Sequence, residues 1–179
     1  TFFDPSDLYK KFLVSETSKK NKSIPLDHTP RNIYFAGDIL NRFPDCHIIN
    51  MIRDPRDILV SQKKKWRYSF ADDVKIPLLE KMRTRANYNA ILMTKMWKKV
   101  VNISQVYDQR KNFTSIKFED LLSRPESTIM EICTALGIEY SEEMLEVPKT
   151  GSSTLSNQHD SKGVDSDRSQ KWSERKHLG

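Results

Sequence analysis

The sequence is short of several things, and each shortage closes off a class of protein. Glycine and proline are modest, five and eight in 179 residues, so the chain is neither collagen-like nor low in complexity. Its apolar runs extend only a few residues, too short for a transmembrane helix. Two cysteines, Cys46 and Cys133, make neither a disulfide framework nor a zinc site alone. Each has apolar neighbours and is expected to be a reduced core residue. No internal repeat is present. There is no initiator methionine and no signal-peptide pattern at Thr1-Phe2-Phe3, so a fragment or a processed chain is expected.

The remaining composition, 37% apolar and 30% charged, is that of a soluble globular protein with one domain over residues 1–179. Thirty basic residues against twenty-four acidic ones give a net charge of +6, which suits an anionic ligand. The excess is local: six basic and two acidic residues from Arg53 to Arg67, six basic and none acidic from Lys81 to Lys99. The second cluster reads as a solvated helix face. Sequons at Asn21, Asn102 and Asn112 keep a secretory origin open.

Thr29-Pro30 predicts a capped helix start, with Ile33, Ala36, Ile39, Leu40 and Phe43 at helical spacing until Pro44. His47 to Ile52 is a short, nearly all-apolar run that suits a strand buried on both faces of a parallel sheet. From Ile58 to about Arg67 the pattern is helical. It is helical again from Pro77 to Tyr107, where Leu79, Met82, Ala86, Ala90, Met93, Trp97 and Val100 form a core stripe. Phe113 to Phe118 reads as a second strand. Pro125 to Leu136 reads as a helix, with Ser123 as a candidate cap and Gly137 as its stop. Ser141 opens a last short helix. Residues 148–167 are a long polar loop, and 168–179 a basic tail. Alternating strands and helices predict an α/β domain with a largely parallel sheet.

The segment that carries chemistry is His47 to Gln62, HIINMIRDPRDILVSQ. Ligands of open α/β sheets bind beyond the carboxyl ends of strands, where Arg53 emerges. Ser61 follows eight residues later, about one turn into a helix starting near Asp57. An arginine and a serine converging near a helix N-terminus suit a phosphate. Equally, Arg53 could pair with Asp54 or Asp57 at the strand end.

An apolar strand, then Arg-Asp-Pro-Arg-Asp, then Ser61 resembles the 3'-phosphate-binding segment of sulfotransferases that use 3'-phosphoadenosine 5'-phosphosulfate (PAPS). Three other segments agree in order. Asp27-His28-Thr29-Pro30-Arg31-Asn32 is similar to that family's Lys-Thr-Pro segment. Lys117-Phe118-Glu119-Asp120-Leu121-Leu122, with Pro125 and Leu136-Gly137, is similar to its Tyr-Glu-Asp-Leu segment and the helix after it. Lys171-Trp172 is similar to its closing region. The resemblance runs from about Pro25 to Trp172. It implies a P-loop NTPase-like sulfotransferase fold that transfers a sulfuryl group from PAPS to a hydroxyl or amine acceptor. Arg53 and Ser61 would hold the 3'-phosphate, and Arg56 and Asp57 would serve the turn and the cap. The co-substrate is PAPS, no metal is called for, and the acceptor could be carbohydrate, lipid, peptide or small molecule.

Departures from the family pattern qualify this picture. Its 5'-phosphosulfate loop and the strand before it are absent between Thr1 and Pro25, so no sulfuryl transfer is expected from this polypeptide alone. His28 replaces the lysine and is the candidate base or sulfuryl-side cation, against a plain capping or packing role; Asp27 would orient it or cap. Phe118 replaces tyrosine and offers its face to adenine or to the core. Arg168, with Lys162 and Lys171, would return over the 3'-phosphate or stay solvated. The runners-up are a kinase-like phosphoryl transferase and a non-enzymatic basic anion-binding module; nucleic acid is not an expected partner. The compartment is the cytoplasm for a bacterial protein, with the Golgi lumen left open.

Overall fold

The structure is a computed structural model and describes residues 4–68, 89–146 and 163, with residues 62–68 given by backbone alone. The expected segments at Leu79, Met82 and Ala86, in the 148–167 loop apart from Gly163, and in the 168–179 tail lie outside the described residues. The chain forms two compact units, Thr1–Cys46 and His47–Gly179.

The first unit opens with α1 (Pro5–Lys19). Asp4 caps it by accepting the Ser6 N–H at 2.8 Å, and Pro5 takes the first position, where a missing N–H costs nothing. Hydrophobic periodicity did not reveal this helix because Leu8, Phe12, Leu13 and Val14 share no single stripe and none of its residues is buried. Its Asp-Pro start was the available signal.

Tyr9 ties α1 to the segment that follows. Its phenol donates to Asp27 Oδ2 at 2.6 Å, and its ring lies 6.2 Å from that of Phe43. The same carboxylate accepts from the Thr29 hydroxyl at 2.8 Å and the Asn32 amide at 2.5 Å. Thr29 therefore turns its hydroxyl to Asp27 and makes no side-chain cap. The expected single helix is a 3-10 turn, Pro30–Phe35, running into α2 (Ala36–Arg42). Such tightening is common in the first turn of helices. Ala36 and Leu40 are buried, as the helical spacing implied.

The second unit is built on a parallel pair, β1 (Ile48–Ile52) and β2 (Phe113–Lys117), in register from Ile48↔Phe113 to Ile52↔Lys117. Their connection begins with α3 (Pro55–Tyr68) and ends with α4 (Ala90–Tyr107), an α/β crossover of the kind a parallel pair requires. Asn89 caps α4 by accepting the Ile91 N–H at 2.8 Å. Met93, Trp97, Val100, Ser104 and Tyr107 face inward at steps of four and three, whereas Ala90, at the edge of the expected stripe, is exposed. After β2 come α5 (Phe118–Ser123), α6 (Pro125–Leu136) and a 3-10 turn (Glu142–Leu145). Both helices pack on β2, and the turn packs on α6. Ser123 does not cap α6: Arg124 occupies that position, and the Ser123 hydroxyl turns back to the Asp120 carbonyl at 3.4 Å.

One expectation for β1 fails. Its burial is one-sided: Asn50 is buried, while Ile49 and Met51 are 37% and 47% exposed. Successive side chains of a strand point to opposite faces; the apolar residues of this run occupy both faces and its polar Asn50 lies on the covered one, so polarity does not tell which face is covered. On the covered face the Asn50 amide donates to Ser104 Oγ at 2.5 Å, and that hydroxyl donates to the Val100 carbonyl at 2.9 Å. The strand centre is thus joined to α4 by a satisfied polar pair. Among the described residues no helix is long and apolar enough to cross a membrane.

Two measurements follow from this architecture. Gly137 ends α6 at φ +66°, and a Cβ there would meet no atom within 4 Å. Gly137→Ala should therefore cost only the left-handed strain, about 1–2 kcal/mol, seen as a lower urea midpoint at unchanged slope. In the first unit, the Tyr9 phenol holds Asp27 below the usual carboxylate range, and burial with the Asp27 bond pushes Tyr9 up to about 12. A depressed carboxylate pKa gives stability that is present above the unfolded value and lost as pH falls through the folded one. The raised phenol likewise gives stability lost as pH rises from 10 through about 12. Tyr9→Phe should lose up to about 1 kcal/mol at neutral pH, screened because the pair is exposed. The gap should close as Asp27 protonates, and a gap independent of pH would show that the pair does not contribute.

Candidate functional site

β1 ends at Ile52, and α3 begins at Pro55, so Arg53 and Asp54 alone make the turn. Asp54 caps α3: its Oδ1 accepts the Arg56 N–H at 2.8 Å, and its carbonyl accepts the Ile58 N–H at 3.2 Å. Pro55 holds the first helical position. The Arg56 guanidinium closes on the Asp54 carboxylate, with its nearest nitrogen at 2.6 Å. That hydrogen bond is the main reason Asp54 stays below the usual carboxylate range. Asp57, in the first turn of α3, is 2% exposed. Arg56 therefore serves the turn as expected, but the cap is Asp54 and not Asp57, because the helix starts at Pro55 and leaves Asp57 in its first turn.

The peptide group joining Arg53 to Asp54 is held at both polar ends. The Arg53 carbonyl accepts from Trp97 Nε1 at 2.8 Å, and the Asp54 N–H donates to Glu119 Oε1, also at 2.8 Å. The Arg53 guanidinium lies over the Phe118 ring, 4.6 Å from its centroid, within cation–π range. The register explains the meeting. Ile52 pairs with Lys117, so the next step along each strand brings Arg53 beside Phe118, and the one after brings Asp54 beside Glu119.

The structure thus unites two of the sequence-derived residues, Arg53 and Phe118. Phe118 is half-buried and carries the arginine on its face. Ser61 is exposed on α3 as its seventh residue, almost two turns in, because the helix starts at Pro55 and not near Asp57. His28 is exposed in the first unit. Asp27 does not orient it: that carboxylate serves Tyr9, Thr29 and Asn32, and among the described residues no hydrogen bond joins it to His28. Arg168 lies outside the described residues. Among the described residues no cluster of three or more His, Cys, Asp or Glu could hold a metal ion. A depression of about 460 Å³ on α1, lined by Asp7, Lys10, Lys11, Val14 and Ser15, gathers side chains of one exposed helix and no strand end.

Sequence reasoning missed Trp97 and Glu119. Trp97 sat in an apolar stripe, where its ring belongs, and nothing in the spacing marks its N–H as a donor to a carbonyl 44 residues away. Glu119 was visible as part of Phe118-Glu119-Asp120, without a role. Only the parallel register assigns it one.

Comparison with known proteins places these features. The chain is similar to a solved structure, the sulfotransferase domain from the curacin biosynthetic pathway, with 17% identity and a TM-score of 0.59. The match covers 94% of this chain and 60% of that one, so the chain spans well under two thirds of that domain. At this identity the likeness speaks to the fold alone, an α/β sulfotransferase fold with a parallel sheet. No curated protein matches. The model of the sulfotransferase family matches residues 3–142. That span takes in α1, which lies before the resemblance noted above, and stops short of Lys171-Trp172. With more than half of its length matched, including both strands and the Arg53 turn, the chain belongs to the sulfotransferase family.

Proposed function

We propose that the chain supplies the 3'-phosphate half of a PAPS site in an enzyme that transfers a sulfuryl group to a hydroxyl or amine acceptor. The observation that carries this reading is Arg53 at the carboxyl end of a parallel strand, with the following peptide bonded at both ends. A guanidinium offers forked donors that match a phosphate dianion. Arg53 binds the 3'-phosphate of the donor, and Ser61 on α3 adds a hydroxyl. Phe118 belongs to the same site as the surface on which the arginine lies.

The reaction is an in-line displacement. The acceptor oxygen or nitrogen attacks sulfur, the bond from sulfur to the bridging phosphate oxygen breaks, and adenosine 3',5'-bisphosphate leaves with the electron pair. The acceptor proton passes to a base, the role assigned to His28. Catalysis of such transfers rests on positioning and charge stabilisation, and no metal is called for.

Calorimetric titration with adenosine 3',5'-bisphosphate tests the donor site. Arg53→Ala should weaken binding by roughly 1.5–3 kcal/mol, and Ser61→Ala by about 1 kcal/mol; unchanged affinity in Arg53→Ala would refute the assignment. For transfer itself, a longer form of the protein that carries a 5'-phosphosulfate loop, given sulfur-35 PAPS and a panel of carbohydrate and phenolic acceptors, should reveal the acceptor class. His28→Ala should lower the rate about a hundredfold or more while leaving bisphosphate affinity intact. A His28→Ala enzyme with full rate would remove histidine from the chemistry.

A further inference from the structure

We infer that Glu119 and Trp97 are positioning residues for the phosphate-binding arginine, acting through the backbone of Arg53 and not by touching the ligand. The inference rests on the donor-site reading above and extends it to two side chains that touch no proposed ligand group. A long, many-torsioned arginine side chain loses rotamer entropy when it is fixed. The direction in which it leaves the backbone depends on the two torsions flanking its own α-carbon. Trp97 Nε1 on the Arg53 carbonyl and Glu119 Oε1 on the Asp54 N–H clamp the peptide plane that sets one of those torsions. The ring of Phe118, the residue before Glu119, then supports the guanidinium from below.

The clamp also contributes to the helix cap. In a capping box, the third helical residue sends its side chain back to the N–H of the capping residue. Here the capping residue is Asp54, and its N–H is taken by Glu119 from α5. One carboxylate therefore finishes the N-terminus of α3, joins it to the end of β2 and orients the arginine.

The experiment measures affinity for adenosine 3',5'-bisphosphate and for adenosine 5'-phosphate, which lacks the 3'-phosphate, in Trp97→Phe, Glu119→Ala, Glu119→Gln, Arg53→Ala and Arg53→Ala/Glu119→Ala. Trp97→Phe and Glu119→Ala should each weaken the bisphosphate about three- to tenfold and leave the 5'-phosphate unchanged. Glu119→Gln should recover most of the loss, because its amide oxygen can accept the same N–H. Once Arg53 is gone, Glu119→Ala should add nothing, the non-additivity expected of residues acting through one another. In a longer form that carries a 5'-phosphosulfate loop, with PAPS as substrate, the losses should appear in KM and not in kcat.

Equal loss on both nucleotides, or full additivity with Arg53→Ala, would mean that the two residues merely stabilise the fold and would overturn the inference. Unchanged bisphosphate affinity in Trp97→Phe and Glu119→Ala, with Arg53→Ala weakened, would overturn it and leave the donor site standing. Unchanged affinity in Arg53→Ala itself would remove both. Should Glu119→Ala fail to fold by circular dichroism, Trp97→Phe, which keeps an aromatic ring in place, carries the same test.

Discussion

The site depends on one peptide group, the one between Arg53 and Asp54. It is the last backbone unit of the β1 line and the first of the α3 cap, so any error in its plane is passed to both elements. Backbone amides and carbonyls at such a junction are used neither by the sheet nor by the helix, and leaving them without partners is costly when they are buried. Here an indole N–H and a carboxylate satisfy them from two other helices. A tight two-residue turn is thereby fixed in place by residues 44 and 65 positions away.

That arrangement is possible only because the sheet is parallel. In a parallel pair both strands end on the same side, and equal steps past Ile52 and Lys117 keep the two chains abreast. Arg53 and Asp54 continue one strand, and Phe118 and Glu119 the other. An antiparallel pair would have set the end of one strand against the beginning of the other. The crossover then returns α4 along the covered face, where Ser104 meets Asn50 from the centre of β1. Trp97, seven residues earlier on the same helix face, consequently arrives near the carboxyl end of the strand. Sheet order, helix phase and turn geometry all lead to the same few atoms.

Much of this was legible in the residues. The strands and α6 were readable because short β-branched runs and a Pro-to-Gly frame are strong local signals, and the position of Arg53 at a strand end followed from the first of them. The clamp was not, since it joins segments that no local pattern relates. Helix α1 stayed hidden because its apolar residues are scattered and unburied; it is anchored by a hydrogen bond from Tyr9 to Asp27, not by a buried face. The one-sided burial of β1 was hidden for the opposite reason, since every apolar residue in the run looked equally suited to a core. The likeness to Lys-Thr-Pro directed attention to His28, while the hydrogen bonds of that segment run instead through the neighbouring Asp27.

Net charge was also a poor guide to how the turn would hold an anion. The whole chain carries +6, yet the turn itself, counting Arg53, Asp54, Arg56, Asp57 and Glu119, has two guanidinium groups and three carboxylates, a sum of −1. Such a site does not attract a phosphate by excess charge. Asp54 is engaged by the side chain and the N–H of Arg56, and Glu119 by the N–H of Asp54, while Asp57 is the carboxylate buried in the first turn of α3. Charge-assisted bonds of that kind are short and directional, so they fix the geometry of the turn. On the proposed donor-site reading, affinity for a phosphate depends on where Arg53 is held, and the basic clusters elsewhere in the chain add only a diffuse field that salt screens within about 10 Å.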